Sequence, residues 1–194
     1  MGRTGFSDQK YPHRFAYALY LVHRANLSKQ ELRGLKLFED PGKGNCAACH
    51  PSTPGSMAPQ ALFTDFSYDN IGIPKNPENP FYALSPDLNP DGANFLDHGL
   101  ATTLGDPSQD GRFRVPTLRN VGITPPYGHN GYFKDLKSIV QFYNTRDTDP
   151  MWPLPEIPGT VNRDELGHLG LTDGEIDDIV AFLQTLTDGY QSSQ

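Results

Sequence analysis

Cys46-Ala47-Ala48-Cys49-His50 constrains this chain more than any other segment, because it holds the only two cysteines among 194 residues. A disulfide across three positions closes too small a loop to stabilise a fold by much, so the pair has to be read as chemistry. C-x-x-C-H is the attachment sequence of c-type haem. Two thioethers hold the porphyrin edge, and the imidazole of the next residue turns beneath the iron. Gly42, Gly44 and Asn45 come just before and permit a backbone tight enough to lie against the ring. A thioredoxin-like dithiol needs a βαβ setting, and no strand pattern precedes Cys46. A zinc site needs a fourth ligand, for which His98, His129 or His168 would be the candidates. One covalent haem, tethered by Cys46 and Cys49 with His50 as an iron ligand, uses the motif as it stands.

The rest of the composition fits a chain that builds its core around a non-protein body. Only 36% of the residues are hydrophobic, and 19 Gly with 18 Pro imply much irregular backbone. A formal charge of -7 argues against a nucleic-acid surface, since nothing would neutralise phosphates. An acidic surface suits a basic redox partner or simple solubility. No stretch reaches the roughly 20 apolar residues that span a bilayer, so no transmembrane segment is expected. The apolar run from Phe15 to Val22 has His23-Arg24 where a signal peptide would place small residues, and it reads as a core or interface segment. Haem of this kind is attached outside the cytoplasm. A periplasmic or other extracytoplasmic location is therefore expected, with an export signal removed from the chain.

Three segments read as helices. Ser28 and Glu31 form a capping box ahead of Leu32, Leu35 and Phe38, and Pro41-Gly42 ends that helix. Asp135 caps a second, with Leu136, Ile139, Val140 and Tyr143 at helical spacing. Thr172 and Glu175 cap the third, whose apolar face is Ile176, Ile179, Val180, Leu183 and Leu186. Gly34 would let the last helix approach the first closely. Residues 51–134 hold 12 of the prolines and ten Phe and Tyr residues, too many aromatics for a disordered tract. They read as an ordered wrap around the cofactor. The expected division is an extension or linker over 1–27, a haem domain over 28–190 and a tail over 191–194. The expected fold class is all-α: a class I cytochrome c-like haem domain with long ordered loops rich in Pro and Gly.

A wider set of strings points to a family. Leu35-Lys36-Leu37-Phe38-Glu39-Asp40-Pro41 leads into the haem motif, and Phe63-Thr64-Asp65 and Asn70-Ile71-Gly72-Ile73-Pro74 follow. Then come Phe113-Arg114-Val115-Pro116-Thr117-Leu118-Arg119-Asn120-Val121 and Thr124-Pro125-Pro126-Tyr127-Gly128-His129-Asn130-Gly131, and finally Leu171-Thr172 with Ile179-Val180-Ala181-Phe182-Leu183. From about Leu27 to Tyr190 the chain resembles the C-terminal haem half of bacterial di-haem cytochrome c peroxidases and MauG-type enzymes. Those enzymes carry a second haem motif in an N-terminal half, where peroxide binds. This chain has one motif and resembles the half that receives, stores or passes electrons. The resemblance also implies a calcium ion partly held by backbone carbonyls, here Thr124 and Pro126, with an asparagine ligand from the other half.

For the far side of the iron, Met57 is only seven residues beyond His50 and has little chain with which to round the porphyrin. Met151 can reach, and a thioether would raise the potential. On pattern alone Tyr143 is a core residue. The resemblance changes that, because Phe142-Tyr143-Asn144 matches the site bearing methionine in the peroxidases and tyrosine in MauG-type proteins. Arg119 is a candidate partner for a haem propionate or for a surface ion pair. His129 reads as a hydrogen-bonded loop residue. Trp152 reads as a cover for the haem edge or as packing among Pro150, Pro153 and Pro155. The expected function is electron transfer by a single haem, alone or beside a partner haem domain or small cytochrome. The alternatives are a peroxidase or MauG-type oxidoreductase working with a second haem domain, and a redox or gas sensor.

Overall fold

Local capping decides where the long helices begin. In the computed structural model, which describes residues 16–190 apart from 22, 24, 25, 56 and 57, Ser28 and Glu31 close a reciprocal capping box at the start of a helix over Lys29–Glu39. The Ser28 amide donates to Glu31 Oε2 at 2.6 Å, and the Glu31 amide donates to Ser28 Oγ at 3.3 Å. Thr172 and Glu175 form the same device ahead of Asp173–Gln184. Asp135 caps Leu136–Thr145 through the Ser138 amide at 2.8 Å. In chain order the helices are α1 (Ala16–Leu21), α2 (Lys29–Glu39), α3 (Leu100–Leu104), α4 (Leu136–Thr145) and α5 (Asp173–Gln184). Among the described residues the only sheet is an antiparallel pair, β1 (Tyr68–Asp69) and β2 (Phe113–Arg114).

The α2–α5 crossing is the centre of the fold. A Cβ on Gly34 would lie 1.9 Å from the Asp178 carbonyl oxygen and 2.8 Å from Phe182 Cβ, so only glycine permits this approach. Asp178 is buried and accepts both Arg33 Nε at 2.7 Å and Nη2 at 2.8 Å, which ties the two helices beside the crossing. Phe38, Phe63, Phe182 and Leu186 are fully buried there. Tyr17 packs edge-on to Phe63 and Phe182, at ring centroids of 5.6 and 5.3 Å.

Helix α1 thus shares the main core: Ala16, Tyr17 and Ala18 are buried in it. Within Phe15–Val22, Phe15 and Val22 lie outside the described residues. So do Met57, most of the 1–27 segment and the 191–194 tail. Helix α4 departs from a single apolar stripe because it is wedged between two clusters. Leu136 and Val140 enter the main core, while Phe142 enters a second cluster with Ile73 and Phe133. The segment from 51 to 134 divides likewise. Phe63 and Phe133 are buried in the two clusters, whereas Phe66 and Tyr68 lie on the surface.

Candidate haem site

The haem motif forms a single tight turn, Cys46–Ala48, directly after α2. The Gly44 amide donates to the Leu37 carbonyl at 3.1 Å, and the Asn45 amide to the Asp40 carbonyl at 3.0 Å, folding the turn back on the helix end. A Cβ on Gly44 would sit 2.4 Å from that Leu37 oxygen, so the position requires glycine. Asn45 takes φ 52°, the left-handed geometry this residue type tolerates. Cys46 and Cys49 are not joined to each other by a disulfide. Burial pushes the Cys46 thiol up to about 12 and that of Cys49 to about 11. A redox dithiol needs a depressed thiol pKa, so this environment is the opposite of a thioredoxin-like one.

His50 is oriented by its other ring nitrogen. Nδ1–H donates to the Phe63 carbonyl at 2.8 Å, leaving the Nε2 lone pair for a metal. Phe63 holds φ 52°, uncommon for a bulky residue, and its buried ring keeps the carbonyl turned toward the imidazole. Burial lowers the His50 pKa and so favours the neutral, ligating form.

Helix α4 carries Tyr143, far from the motif in the sequence. Its phenol pKa is pushed well above the ordinary value, first by burial and then by the neighbouring Cys46 and Cys49 sulfurs. The side chain is half-buried against the cluster of Ile73, Phe133 and Phe142. Flanking side chains pin the helix in that orientation. Asn144 Nδ2 donates to the Leu171 carbonyl at 2.9 Å, and the Leu171 amide donates back to Asn144 Oδ1 at 2.8 Å. Arg146 is buried and donates to the carbonyls of Ile71 (3.0 Å), Asn162 (2.7 Å) and Leu166 (3.1 Å) and to Asp147. Sequence reasoning missed Asn144 and Arg146, although a polar pair just past an apolar helical stripe is a usable signal for such a clamp. A cavity of about 610 Å³ opens beside Cys49 and is lined by Ala48, Tyr68, Val161 and Arg112, among others.

Two tethering thiols and a histidine oriented by a backbone carbonyl, with the half-buried Tyr143 phenol on α4, form a donor set that fits a covalently bound haem. Zinc fits less well. Among the described residues no three His, Cys, Asp or Glu side chains converge to hold a metal ion. His98 is paired with Asp110 at 2.6 Å, and His129 stacks on Phe113 with ring centroids 3.7 Å apart.

The other residues named from sequence are dispersed. Met151 is 67% exposed on the turn after α4. Arg119 Nη2 donates to Gln60 Oε1 at 2.9 Å. Thr124 and Pro126 stand on an exposed turn. Trp152 packs edge-on to Phe142 at 5.3 Å and donates from Nε1 to Thr145 Oγ1 at 2.9 Å. It belongs to the cluster that carries Tyr143.

His129 also takes part in an acid-sensitive staple. Its Nε2 is 3.6 Å from Oε2 of Glu156, whose side chain is only 3% exposed. Burial alone would raise the Glu156 carboxyl, but hydrogen bonds from His129, the Asp97 amide and Asn130 hold it below its ordinary value. A carboxyl with a depressed folded-state pKa stabilises above its unfolded value, about 4.3, and that stability is lost as pH falls through the folded value. Glu156→Gln should therefore give a shallower decline of stability below about pH 4.3 than the parent protein, measured by denaturant melts across acid pH. Equal slopes would remove Glu156 from the acid response.

A close α2–α5 crossing packed beside a C-x-x-C-H turn, with a histidine oriented by backbone and a second donor on an intervening helix, defines a cytochrome c-like haem domain. The chain belongs to the cytochrome c family, whose model matches residues 31–187. It is 40% identical over 158 residues to the methylamine utilization protein MauG of Paracoccus denitrificans (strain Pd 1222), covering 74% of this chain and 39% of that protein. It is 32% identical over 176 residues to the cytochrome-c peroxidase IdrP1 of Denitromonas iodatirespirans, covering 84% and 42%. The diheme peroxidase BthA from Burkholderia thailandensis E264 superposes with a TM-score of 0.74 at 38% identity, covering 94% of this chain and 48% of that one. The chain thus spans less than half the length of these relatives.

Proposed function

We propose that this chain carries one haem c, bound through Cys46 and Cys49, and works as an electron-transfer domain. The observation that carries this reading is the tight Cys46–Ala48 turn, after which His50 is oriented by donating from Nδ1 to the Phe63 carbonyl at 2.8 Å. Haem supplies one-electron exchange between ferric and ferrous iron. The chain's own residues do the rest. The two thioethers would fix the ring edge, and His50 Nε2 and the Tyr143 oxygen would be the side-chain groups that hold the iron. With the iron held by two side chains, peroxide would find no place to bind, whereas electron exchange would need none. The aromatic packing of Phe133, Phe142 and Trp152 around α4 helps keep water from the Tyr143 side.

The extracytoplasmic location follows from the covalent haem, and a basic redox protein is the expected partner for a chain of net charge -7. The calcium ion implied by the resemblance would draw on the carbonyls of Thr124 and Pro126. Arg119 remains a candidate for a haem carboxylate, or serves the 60–62 segment through Gln60.

A second reading is favoured by coverage. The chain spans 39–48% of proteins named MauG, or described as a diheme peroxidase, so it would serve as one half of a two-haem oxidoreductase whose other half binds peroxide. One set of measurements separates the readings. A haem assay on denatured protein should give close to one haem per chain, and the Cys46→Ser/Cys49→Ser variant should release its haem into acidified solvent. The holoprotein should exchange electrons with a small redox partner, more slowly as ionic strength rises, and should turn over peroxide poorly. Two haems per chain, or rapid steady-state peroxidase turnover by fully ligated protein, would overturn the electron-transfer reading.

A further inference from the structure

Helix α1 lies within the 1–27 segment expected to be an extension or linker, and ahead of residues 31–187 matched by the cytochrome c model. Through one side chain it nevertheless reaches the surroundings of His50 from two sides. Tyr17 is 2% exposed. Its ring packs edge-on against Phe63, with centroids 5.6 Å apart, and Phe63 supplies the carbonyl that accepts His50 Nδ1–H. Its hydroxyl donates to the carbonyl of Ser52, two residues beyond His50, at 3.4 Å. Ser52 is buried as well, and its Oγ donates to Glu39 Oε1 at the end of α2, at 2.5 Å. Burial pushes the Tyr17 phenol up to about 12, so the hydroxyl keeps its proton and remains a donor.

The Phe63 carbonyl needs such support, because Phe63 lies outside the helices and strands. Its φ of 52° is one that a bulky residue keeps only where the surroundings over-determine it. Hydrogen bonds fix the flanking residues. The Asp65 amide donates to the Cys49 carbonyl at 3.0 Å, and Thr64 Oγ1 donates to the Val115 carbonyl at 2.7 Å. The Phe63 ring itself is enclosed by Phe38 at 6.1 Å, Phe182 at 6.4 Å and Tyr17, the nearest of the three. Phe38 and Phe182 also pack on each other across the α2–α5 crossing, at 5.1 Å. Tyr17 arrives from a separate helix, which its own amide ties to the Thr185 carbonyl at 3.4 Å.

We propose that Tyr17 is a positioning residue for the axial histidine. Its ring clamps Phe63 so that the carbonyl stays on His50 Nδ1, and its hydroxyl locates α1 over Ser52. This rests on the covalent-haem reading above, in which His50 Nε2 holds the iron. A hydrogen bond at Nδ1 fixes the imidazole plane and makes the opposite nitrogen a stronger donor. A stronger donor favours ferric over ferrous iron. Loosening the clamp should therefore let the Nδ1 proton exchange faster and raise the reduction potential.

The test follows the His50 Nδ1 proton by NMR in holoprotein carrying isotope-labelled histidine, after haem content has been measured. Tyr17→Leu keeps an apolar side chain but loses the aromatic edge, and it should speed exchange by about tenfold or more and raise the potential. Tyr17→Phe keeps the ring and loses only a long hydrogen bond, so exchange should stay within about threefold of the parent. Leu186→Ala opens a cavity at a fully buried position of the same core, and should lower Tm while moving neither readout. Exchange in Tyr17→Leu no faster than in Leu186→Ala, or in Tyr17→Phe as fast as in Tyr17→Leu, overturns the ring clamp. The parent alone supplies a second check, through hydrogen exchange measured across denaturant. The Tyr17 amide and the His50 Nδ1 proton should be released in one opening event. A His50 proton that stays protected after the Tyr17 amide has exchanged overturns the assignment too. Absence of covalent haem would count against the proposed function, whereas a haem-loaded protein whose His50 proton ignores Tyr17 would count against this assignment alone.

Discussion

Replacing Tyr143 with phenylalanine should convert the haem from a form with both axial positions filled to one with an open position. Ferric protein should then bind cyanide, and ferrous protein carbon monoxide, where the parent resists both. The reduction potential should rise by more than about 59 mV, the one-electron equivalent of a tenfold loss of ferric-over-ferrous preference. The reason lies in the site's electrostatics. Burial holds the free phenol neutral, so only a facing metal cation would favour loss of its proton. The resulting anionic oxygen stabilises ferric over ferrous iron. Phenylalanine keeps the ring that packs beside Phe142 at 6.1 Å, so α4 should stay in place and the change should be one of ligation. Met151, 67% exposed, should be a silent position: Met151→Ala leaves the spectrum unchanged. A sulfur-to-iron band in the near infrared of the ferric parent, lost on Met151→Ala with Tyr143 intact, would transfer the role to Met151.

Gly34→Ala should be the most damaging glycine-to-alanine change among the described residues. The new Cβ would meet the Asp178 carbonyl oxygen at 1.9 Å and its carbon at 2.6 Å, both backbone atoms that no rotamer change can move aside. The helices would have to separate, loosening Phe38 and Phe182, whose rings are 5.1 Å apart, and the bidentate Arg33–Asp178 pair. Overpacking of a core costs about 1–3 kcal/mol and occasionally more. With the helix pair also displaced, a loss of ~4 kcal/mol is expected, near the upper end for single substitutions. For a chain of this size that is a fall of roughly 8–16 °C in Tm. Thermal denaturation of the holoprotein checks it. A change under about 1 kcal/mol would mean that the crossing relaxes freely and that Gly34 is not the contact on which it depends.

The elements that could be read without the structure are those set by neighbours in the chain. Both capping boxes and the Asp135 cap join residues three positions apart, so each helix start was visible. The C-x-x-C-H motif is likewise local. Gly34 stood out because glycine inside an amphipathic helix costs stability unless something passes close to it. The stripe proposed for α4 included Leu136 and Val140 but left out Phe142, which is fully buried, because a single helical stripe presumes one packing face and α4 has two.

What the sequence determined by itself was the haem-attachment motif with its adjoining histidine, together with the helices that frame them, since these depend on spacings of a few residues. The tertiary structure alone decided which distant groups serve that tether. The Phe63 carbonyl lies 13 residues from His50, and Arg146 reaches the Ile71 carbonyl across 75 residues. Arg119 stands in a string the sequence singles out and Arg112 just ahead of it, yet Arg119 donates to Gln60 and Arg112 has a buried Nε without an acceptor. Such differences arise from desolvation and hydrogen-bond geometry between segments far apart in the chain. Neither has a period or a spacing that a sequence can display.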